Sequence, residues 1–170
     1  RKQLLKSYGF EEVKGESFDG SQVFTLPIEG YSAKLFTAAT DSIHCENIDK
    51  RIDADIFVFA TRHYSSAGVP ALTTHSIGNW GRAEFGGKEG RVCPTSPALL
   101  KLFLQNLAAV AKSEGYEGEV VQEATHHGPY IEKQAVFIEV GSSEEQWKDA
   151  KLASMVTDSL IGGLGDYVAL

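Results

Sequence analysis

Four of the five histidines in this chain fall in three short, turn-rich segments. Imidazole moves protons near neutral pH and is a common ligand of transition metals, so the clustering has chemical meaning. The first segment is Arg62-His63-Tyr64-Ser65-Ser66-Ala67-Gly68-Val69-Pro70, directly after an apolar run. The second is Leu72-Thr73-Thr74-His75-Ser76-Ile77-Gly78-Asn79-Trp80-Gly81. The third is Glu123-Ala124-Thr125-His126-His127-Gly128-Pro129. Glu123, three residues before His126, adds a carboxylate that could ligate a metal, orient an imidazole or act as a general base. Singly, each residue has an ordinary reading. His63 suits a hydrogen-bonded loop position, and His75 shares one strand face with Thr73. His126 and His127 point to opposite sides if their backbone is extended. Jointly, the three segments are expected to converge on one cleft. The spacing is neither HExxH nor CxxC, so spacing alone does not specify a metal. His44 has no supporting motif and is expected to be an ordinary surface or core residue.

Glycines support the same cleft. Gly78, Gly81, Gly86, Gly87 and Gly90 crowd a stretch that also holds Arg82, Lys88 and Arg91. Such a loop brings main-chain N–H groups close to a ligand and offers cations to phosphate. It is not a Walker loop or a GxGxxG fingerprint. Trp80 could stack on a base or plug the core, and the core reading is preferred.

These segments need a scaffold. A helix is expected over Lys2–Tyr8, stopped by Gly9. Residues 10–22 read as a loop. The alternating Gln22–Pro27 and Ala33–Ala38, separated by Gly30, read as a hairpin. The apolar run Asp55–Ala60 suits a buried strand of a mostly parallel sheet, with His63 beyond its carboxyl end, where open α/β sheets bind ligands. Ala71–Ile77, Glu119–Ala124 and Ala135–Val140 are further strand candidates. Ser96-Pro97 opens a helix that repeats Leu99, Leu100, Phe103, Leu104, Leu107 and Val110 until Gly115. Ser142 and Glu145 suggest a capping box for a last helix to about Leu160. Asp166–Leu170 reads as another strand or as the cut end of a fragment. The order of elements gives an α/β class: a mixed, largely parallel sheet flanked by helices. With no internal repeat and no linker, residues 1–170 are expected to form a single domain.

Composition narrows the function classes. Hydrophobic residues make up 42% and charged residues 23% of 170 residues, which excludes a disordered polymer. No apolar run is long enough for a bilayer, and no signal peptide opens the chain. Two isolated cysteines fit a reducing, cytoplasmic setting. A net charge of −7 argues against a general nucleic-acid coat. Residues 51–100 nevertheless carry five basic and four acidic side chains, and they hold two of the histidine segments.

The quoted strings resemble signature segments of the archaeal and plant-type D-aminoacyl-tRNA deacylases: Arg62–Gly68, Thr74–Gly81, Phe85-Gly86-Gly87-Lys88 and Glu123–Pro129, extended by Phe137–Trp147. The likeness runs in order from about Leu4 to about Leu160. It implies a zinc-dependent, monomeric esterase that hydrolyses the bond between a D-amino acid and the 3′-terminal adenosine of tRNA. It also implies a sheet similar to nucleoside phosphorylases and peptidyl-tRNA hydrolases. Family members begin with a strand ahead of the first helix and continue through a Gly-Gly-x-His-Tyr segment. Here Gly162-Gly163-Leu164-Gly165-Asp166-Tyr167 has no histidine, so the resemblance implies a fragment of a longer catalytic domain.

The expected site follows. His63, His75, His126, His127 and Glu123 carry the chemistry, with Zn2+ on His75, His126 and His127. Ser65, Thr74, Gly78, Asn79, Arg82, Lys88, Arg91 and Gly128 bind the acceptor end of D-aminoacyl-tRNA. Main-chain N–H groups of Gly78–Gly81 or Thr125–Gly128 are expected to hold the developing oxyanion. The rival readings are a peptidyl-tRNA hydrolase- or phosphorylase-like enzyme, and a non-catalytic zinc- or tRNA-binding fragment.

Overall fold

The structure is a computed structural model and describes residues 1–168. Its elements are α1 (Lys2–Ser7), β1 (Glu11–Phe18), β2 (Ser21–Ile28), β3 (Tyr31–Leu35), β4 (Ile56–Arg62), β5 (Ala71–His75), α2 (Pro97–Ser113), β6 (Glu119–Gln122), β7 (Gln134–Gly141), α3 (Glu144–Lys148) and α4 (Ala150–Val168). Two short 3₁₀ turns lie between β3 and β4.

The strands form two sheets. β1, β2 and β3 make an antiparallel meander, and the second sheet has the order β4-β7-β5-β6. In that sheet β4–β7 and β5–β6 are parallel, while β5 runs antiparallel to β7. The expected mixed, mostly parallel α/β sheet is therefore present. The antiparallel pair has one consequence for the site: the carboxyl ends of β4 and β5 point in opposite directions. Residues that follow both strands can meet only across the sheet face.

Alternation of side chains along the strands gives the sheet two unlike faces. Leu72, Val136 and Ile138 point to one face and join Leu99, Phe103 and Leu107 of α2 and Met155 and Leu160 of α4. Phe57, Ala135 and Phe137 point to the other face and join Phe18 and Val23 of the meander with Ile77 and Ile131. α2 begins where Ser96 Oγ accepts the Leu99 amide (3.3 Å), with Pro97 at the first helical position. Burial of Leu99, Phe103 and Leu107 at helical spacing then holds it to the sheet, each side chain contributing about 1.5–3 kcal/mol.

Three expectations are corrected. Residues 11–18, read as loop, are a strand paired with β2 around an irregularity between Glu12 and Ser17. Most of its side chains are exposed, so no apolar alternation marked it. The capping box sits one residue later than expected, with the Ser143 amide and hydroxyl both donating to Gln146 Oε1 (3.0 and 2.7 Å). Ser142 is buried, and its hydroxyl donates to the Val69 carbonyl instead. The last helix restarts at Asp149, whose Oδ1 accepts the Lys151 amide (2.7 Å), and it continues to Val168. Residues 166–168 are thus helical, and 169 and 170 lie outside the described residues. No described helix is long and apolar enough to cross a membrane.

Candidate active site

β5 and β7 bring the first two groups together. Their register sets Thr73 against Glu139 and His75 against Phe137. Thr73, His75 and Glu139 therefore share the face turned away from α2 and α4. All three are buried, and His75 is 0% exposed. His75 Nε2 lies 3.3 Å from Glu139 Oε2, and Thr73 Oγ1 donates to the same oxygen at 3.5 Å. The imidazole stacks on Phe137, with centroids 5.1 Å apart.

His63 reaches the same carboxylate from the end of β4. Its amide donates to the Val140 carbonyl, continuing the β4–β7 ladder by one residue. Its Nδ1 lies 3.3 Å from Glu123 Oε2 and 3.8 Å from Glu139 Oε2. Gly141 makes this approach possible, because a Cβ there would meet the His63 ring at 2.8 Å. Trp147 holds the His63 carbonyl through its indole N–H (2.8 Å). Glu123 follows β6, and its amide donates to the Thr74 carbonyl. Its Oε2 is buried and accepts no well-directed hydrogen bond from the described residues.

His126 and His127 complete the group. The ring centroid of His75 is 4.4 Å from that of His126 and 4.9 Å from that of His127, and those two are 4.4 Å apart. Adjacent residues can face one site here because His127 has a left-handed backbone (φ 48°), which breaks the alternation of an extended chain. Each ring aims Nδ1 at a main-chain carbonyl: His75 at Ser76 (2.9 Å), His126 at Ala124 (2.7 Å) and His127 at Gly128 (2.6 Å). A carbonyl only accepts, so each Nδ1 carries a proton. In His126 and His127 Nε2 is the lone-pair nitrogen of the neutral ring, whereas His75 Nε2 faces the Glu139 carboxylate, which also only accepts, and donates to it. Outer partners fix the tautomer of metal-bound histidines in this way. Nitrogens of His75, His126 and His127 lie within 4.8 Å of one another, as do ligand atoms of His63, Glu123 and Glu139.

The electrostatics differ ring by ring. Burial pulls the His75 pKa down, but the hydrogen bond and charge of Glu139, with the Ser76 carbonyl and the charge of Glu123, together leave it raised. Burial, then the neighbouring His75 and His126, push His127 down to about 4. His127 is therefore neutral at pH 7, a form that binds metal.

The profile of the D-aminoacyl-tRNA deacylase family matches residues 50–167, which contain every group just described. The chain belongs to this family. It is 34% identical over 168 residues to the D-aminoacyl-tRNA deacylase of Pyrococcus furiosus, covering 95% of this chain and 59% of that protein. The deacylase of Thermococcus onnurineus is 34% identical over 172 residues, covering 97% and 60%. That of Methanoculleus marisnigri is 39% identical over 134 residues, covering 78% and 30%. Among solved structures, a conserved protein of unknown function superposes with a TM-score of 0.80 at 30% identity, over 95% of this chain and 56% of that one. The chain thus spans about 60% of the length of the Pyrococcus furiosus and Thermococcus onnurineus deacylases.

Within this deacylase family chain, His63, His75, His126, His127 and Glu123 come together as expected. Glu139, at their centre, was missed. Its signal was a lone charge inside the apolar strand Ala135–Val140. The expected substrate-binding residues divide. Thr74 lies on the helix side of β5 and donates its hydroxyl to the Phe137 carbonyl (2.7 Å), so it does not reach the cluster. Ser65 shapes a turn, its Oγ accepting the Ala67 amide. Asn79 is buried and donates its side-chain amide to the Gly86 and Lys88 carbonyls, so it latches the glycine loop. Arg82, Lys88 and Arg91 are exposed on that loop.

Three of the expected oxyanion donors are already engaged within the protein. The Gly78 amide is bound to the His127 carbonyl, that of Asn79 to Arg91, and that of Gly128 to Phe85. Gly128 serves close packing, because a Cβ there would fall on the Gly87 amide nitrogen. Trp80, expected in the core, is 77% exposed. A cavity of about 650 Å³ opens near Tyr116, Glu119, Asp149 and Met155, and no histidine lines it.

Proposed function

We propose that this chain carries the hydrolytic centre of a D-aminoacyl-tRNA deacylase, with Zn2+ on His75, His126 and His127. The observation that supports the metal assignment is the grouping of one nitrogen from each of these three imidazoles within 4.8 Å, with the Nδ1–H groups of His126 and His127 held by main-chain carbonyls so that their Nε2 lone pairs stay available. His75 would join them by giving up its Nε2 proton. Three imidazoles with a remaining open position are the donor set of a catalytic zinc. When bound, zinc supplies Lewis acidity, which lowers the pKa of water and polarises an ester carbonyl.

The protein's own groups supply the rest. Glu139 accepts from His75 Nε2 and so fixes the orientation of that ring. His63, with Nδ1 toward Glu123 and Glu139, keeps Nε2 free to take a proton from water and return it to the ribose oxygen that leaves. Glu123 orients that ring and stabilises it once charged, in the relation a carboxylate has to histidine in a catalytic triad. Exposed Arg82, Lys88 and Arg91 meet phosphates of the acceptor end.

The test is release of D-tyrosine from D-tyrosyl-tRNA by the zinc-loaded chain, with the L-tyrosyl ester as comparison. Release of the D-form alone is expected. Turnover only of N-blocked L-aminoacyl-tRNA, or only in the presence of phosphate, would replace the reading with a peptidyl-tRNA hydrolase or a phosphorylase.

A further inference from the structure

The loop from Gly78 to Val92 presents two large aromatic side chains to solvent: Trp80 is 77% exposed and Phe85 66%. Exposure of this size on a flexible tip would mean little. Here the backbone beneath is held. Asn79 N–H donates to Arg91 (2.7 Å), Gly90 N–H to Gly81 (2.8 Å), and Asn79 Nδ2 to Gly86 (2.9 Å). The Glu46 carboxylate accepts the Gly87 amide from outside the loop. The rings stay in water although the chain around them is ordered, so burial against the body of the protein is not their use.

The loop is also fastened to the histidine turn on both sides of the His127–Gly128 peptide. Gly78 N–H donates to the His127 carbonyl, and Gly128 N–H donates to the Phe85 carbonyl, both at 2.9 Å. Trp80 lies two residues past the first of these links, and Phe85 is itself the second. The aromatic pair is therefore mechanically continuous with the candidate metal ligands.

The charges match one partner. Arg82, Lys88 and Arg91 against Glu84 and Glu89 leave the loop at a net +1 within a chain of net −7. None of the three is in an ion pair among the described residues. Cations interleaved with exposed aromatic faces are the surface that single-stranded nucleic acid prefers, since every base has a face to stack and every nucleotide a phosphate to neutralise. Inside a duplex the bases are already stacked on one another and cannot use the rings.

We infer that Trp80 and Phe85 are the stacking platform for the unpaired 3′ nucleotides of the RNA substrate, with Arg82, Lys88 and Arg91 on the intervening phosphates. This rests on the deacylase reading and adds to it the groups that deliver the terminal ester to the histidines.

The probe is a short single-stranded oligoribonucleotide ending in CCA, titrated into the full chain while tryptophan fluorescence is followed. Only Trp80 and Trp147 emit, and W80L separates them. Quenching is expected in the parent. W80L and F85L are each expected to raise Kd about tenfold or more. R82Q, K88Q and R91Q should each lower the slope of log Kd against log salt by about 0.7. Both aromatic side chains are exposed, so unchanged melting temperatures and zinc uptake are expected in the variants. Parental Kd in W80L and F85L would overturn the inference, and so would equal affinity for a blunt duplex. Concentration-dependent dimerisation abolished by W80L, with no RNA binding, would overturn it in favour of a second copy of the chain. The two readings fail differently: a parent that binds the oligonucleotide but releases no D-amino acid removes the deacylase reading. A parent that deacylates with the same KM as W80L and F85L removes the platform alone.

Discussion

His75 and Glu139 face each other across the antiparallel β5–β7 pair, Nε2 to Oε2 at 3.3 Å, with side chains 0% and 3% exposed. The same oxygen lies 3.8 Å from His63. Glu139 is therefore the only described group in contact with both the three-histidine cluster and the His63–Glu123 pair. E139Q keeps the shape and removes the charge. A loss of about 10–100-fold in kcat/KM is expected, because Glu139 orients both His75 and His63 and partners that orient site histidines carry effects of that size. E139A should also melt lower, since stripping the partner from a buried charged pair costs about 3–5 kcal/mol. A parental kcat/KM in E139Q would remove Glu139 from the site.

Metal removal separates binding from folding. At free zinc 100 times its Kd, the loaded protein should exceed the chelator-treated protein in stability by about 2.7 kcal/mol, read as a rise in melting temperature. H126A/H127A should abolish that rise. The same rise in the double variant would show that the imidazoles are not the ligands.

E123Q tests the proton path rather than the metal. His63 would keep its neighbour but lose the charge that stabilises the protonated ring. A fall in kcat of about 10²–10⁴-fold with an unchanged zinc Kd is expected. Loss of zinc together with kcat would move Glu123 among the ligands.

Far from the site, Asp19 gives a pH test of the meander. The Arg51 guanidinium and the Ala39 amide hold its carboxyl below the usual carboxylate range. A lowered native pKa contributes stability that is present above the unfolded value, near 4, and is lost as pH falls through the native one. Melting temperature should therefore drop as the solution is acidified below about pH 5, and D19N should flatten that slope. Asparagine tolerates the positive φ of this position (48°). An identical slope in D19N would assign the acid sensitivity elsewhere.

F103A probes the helix layer. Phe103 is 0% exposed in the cluster between α2, α4 and the sheet, and truncation is expected to cost about 3–5 kcal/mol in denaturant unfolding. A cost near zero would mean that α2 is not seated on the sheet.

The parts legible in sequence were those with a local cause. Ser96-Pro97 and the Leu99–Leu107 repeat set α2 without help from the rest of the chain. The histidine segments stood out through glycine and proline turns. What sequence could not supply was direction. The reading of Asp55–Ala60 as a parallel strand put the site at a sheet rim, but antiparallel β5 carries it onto the sheet face, where Glu139 sits in mid-strand. Nothing local distinguishes the two. β1 escaped because Glu11–Phe18 buries little of itself. Hydrophobic bulk points Trp80 to the core, a tendency that the held, solvent-facing loop after Gly78 overrides.

The alternation of β5 fixes where this protein can vary. Thr73 and His75 belong to the face that carries the histidine cluster, while Leu72 and Thr74 belong to the greasy one, and all four are wholly enclosed. Inserting or deleting a single residue in this stretch would swap the two sets at a stroke. Length changes among descendants of this chain should therefore gather in the segments after His63 and after Gly78, leaving these five residues of strand as an invariant spacer.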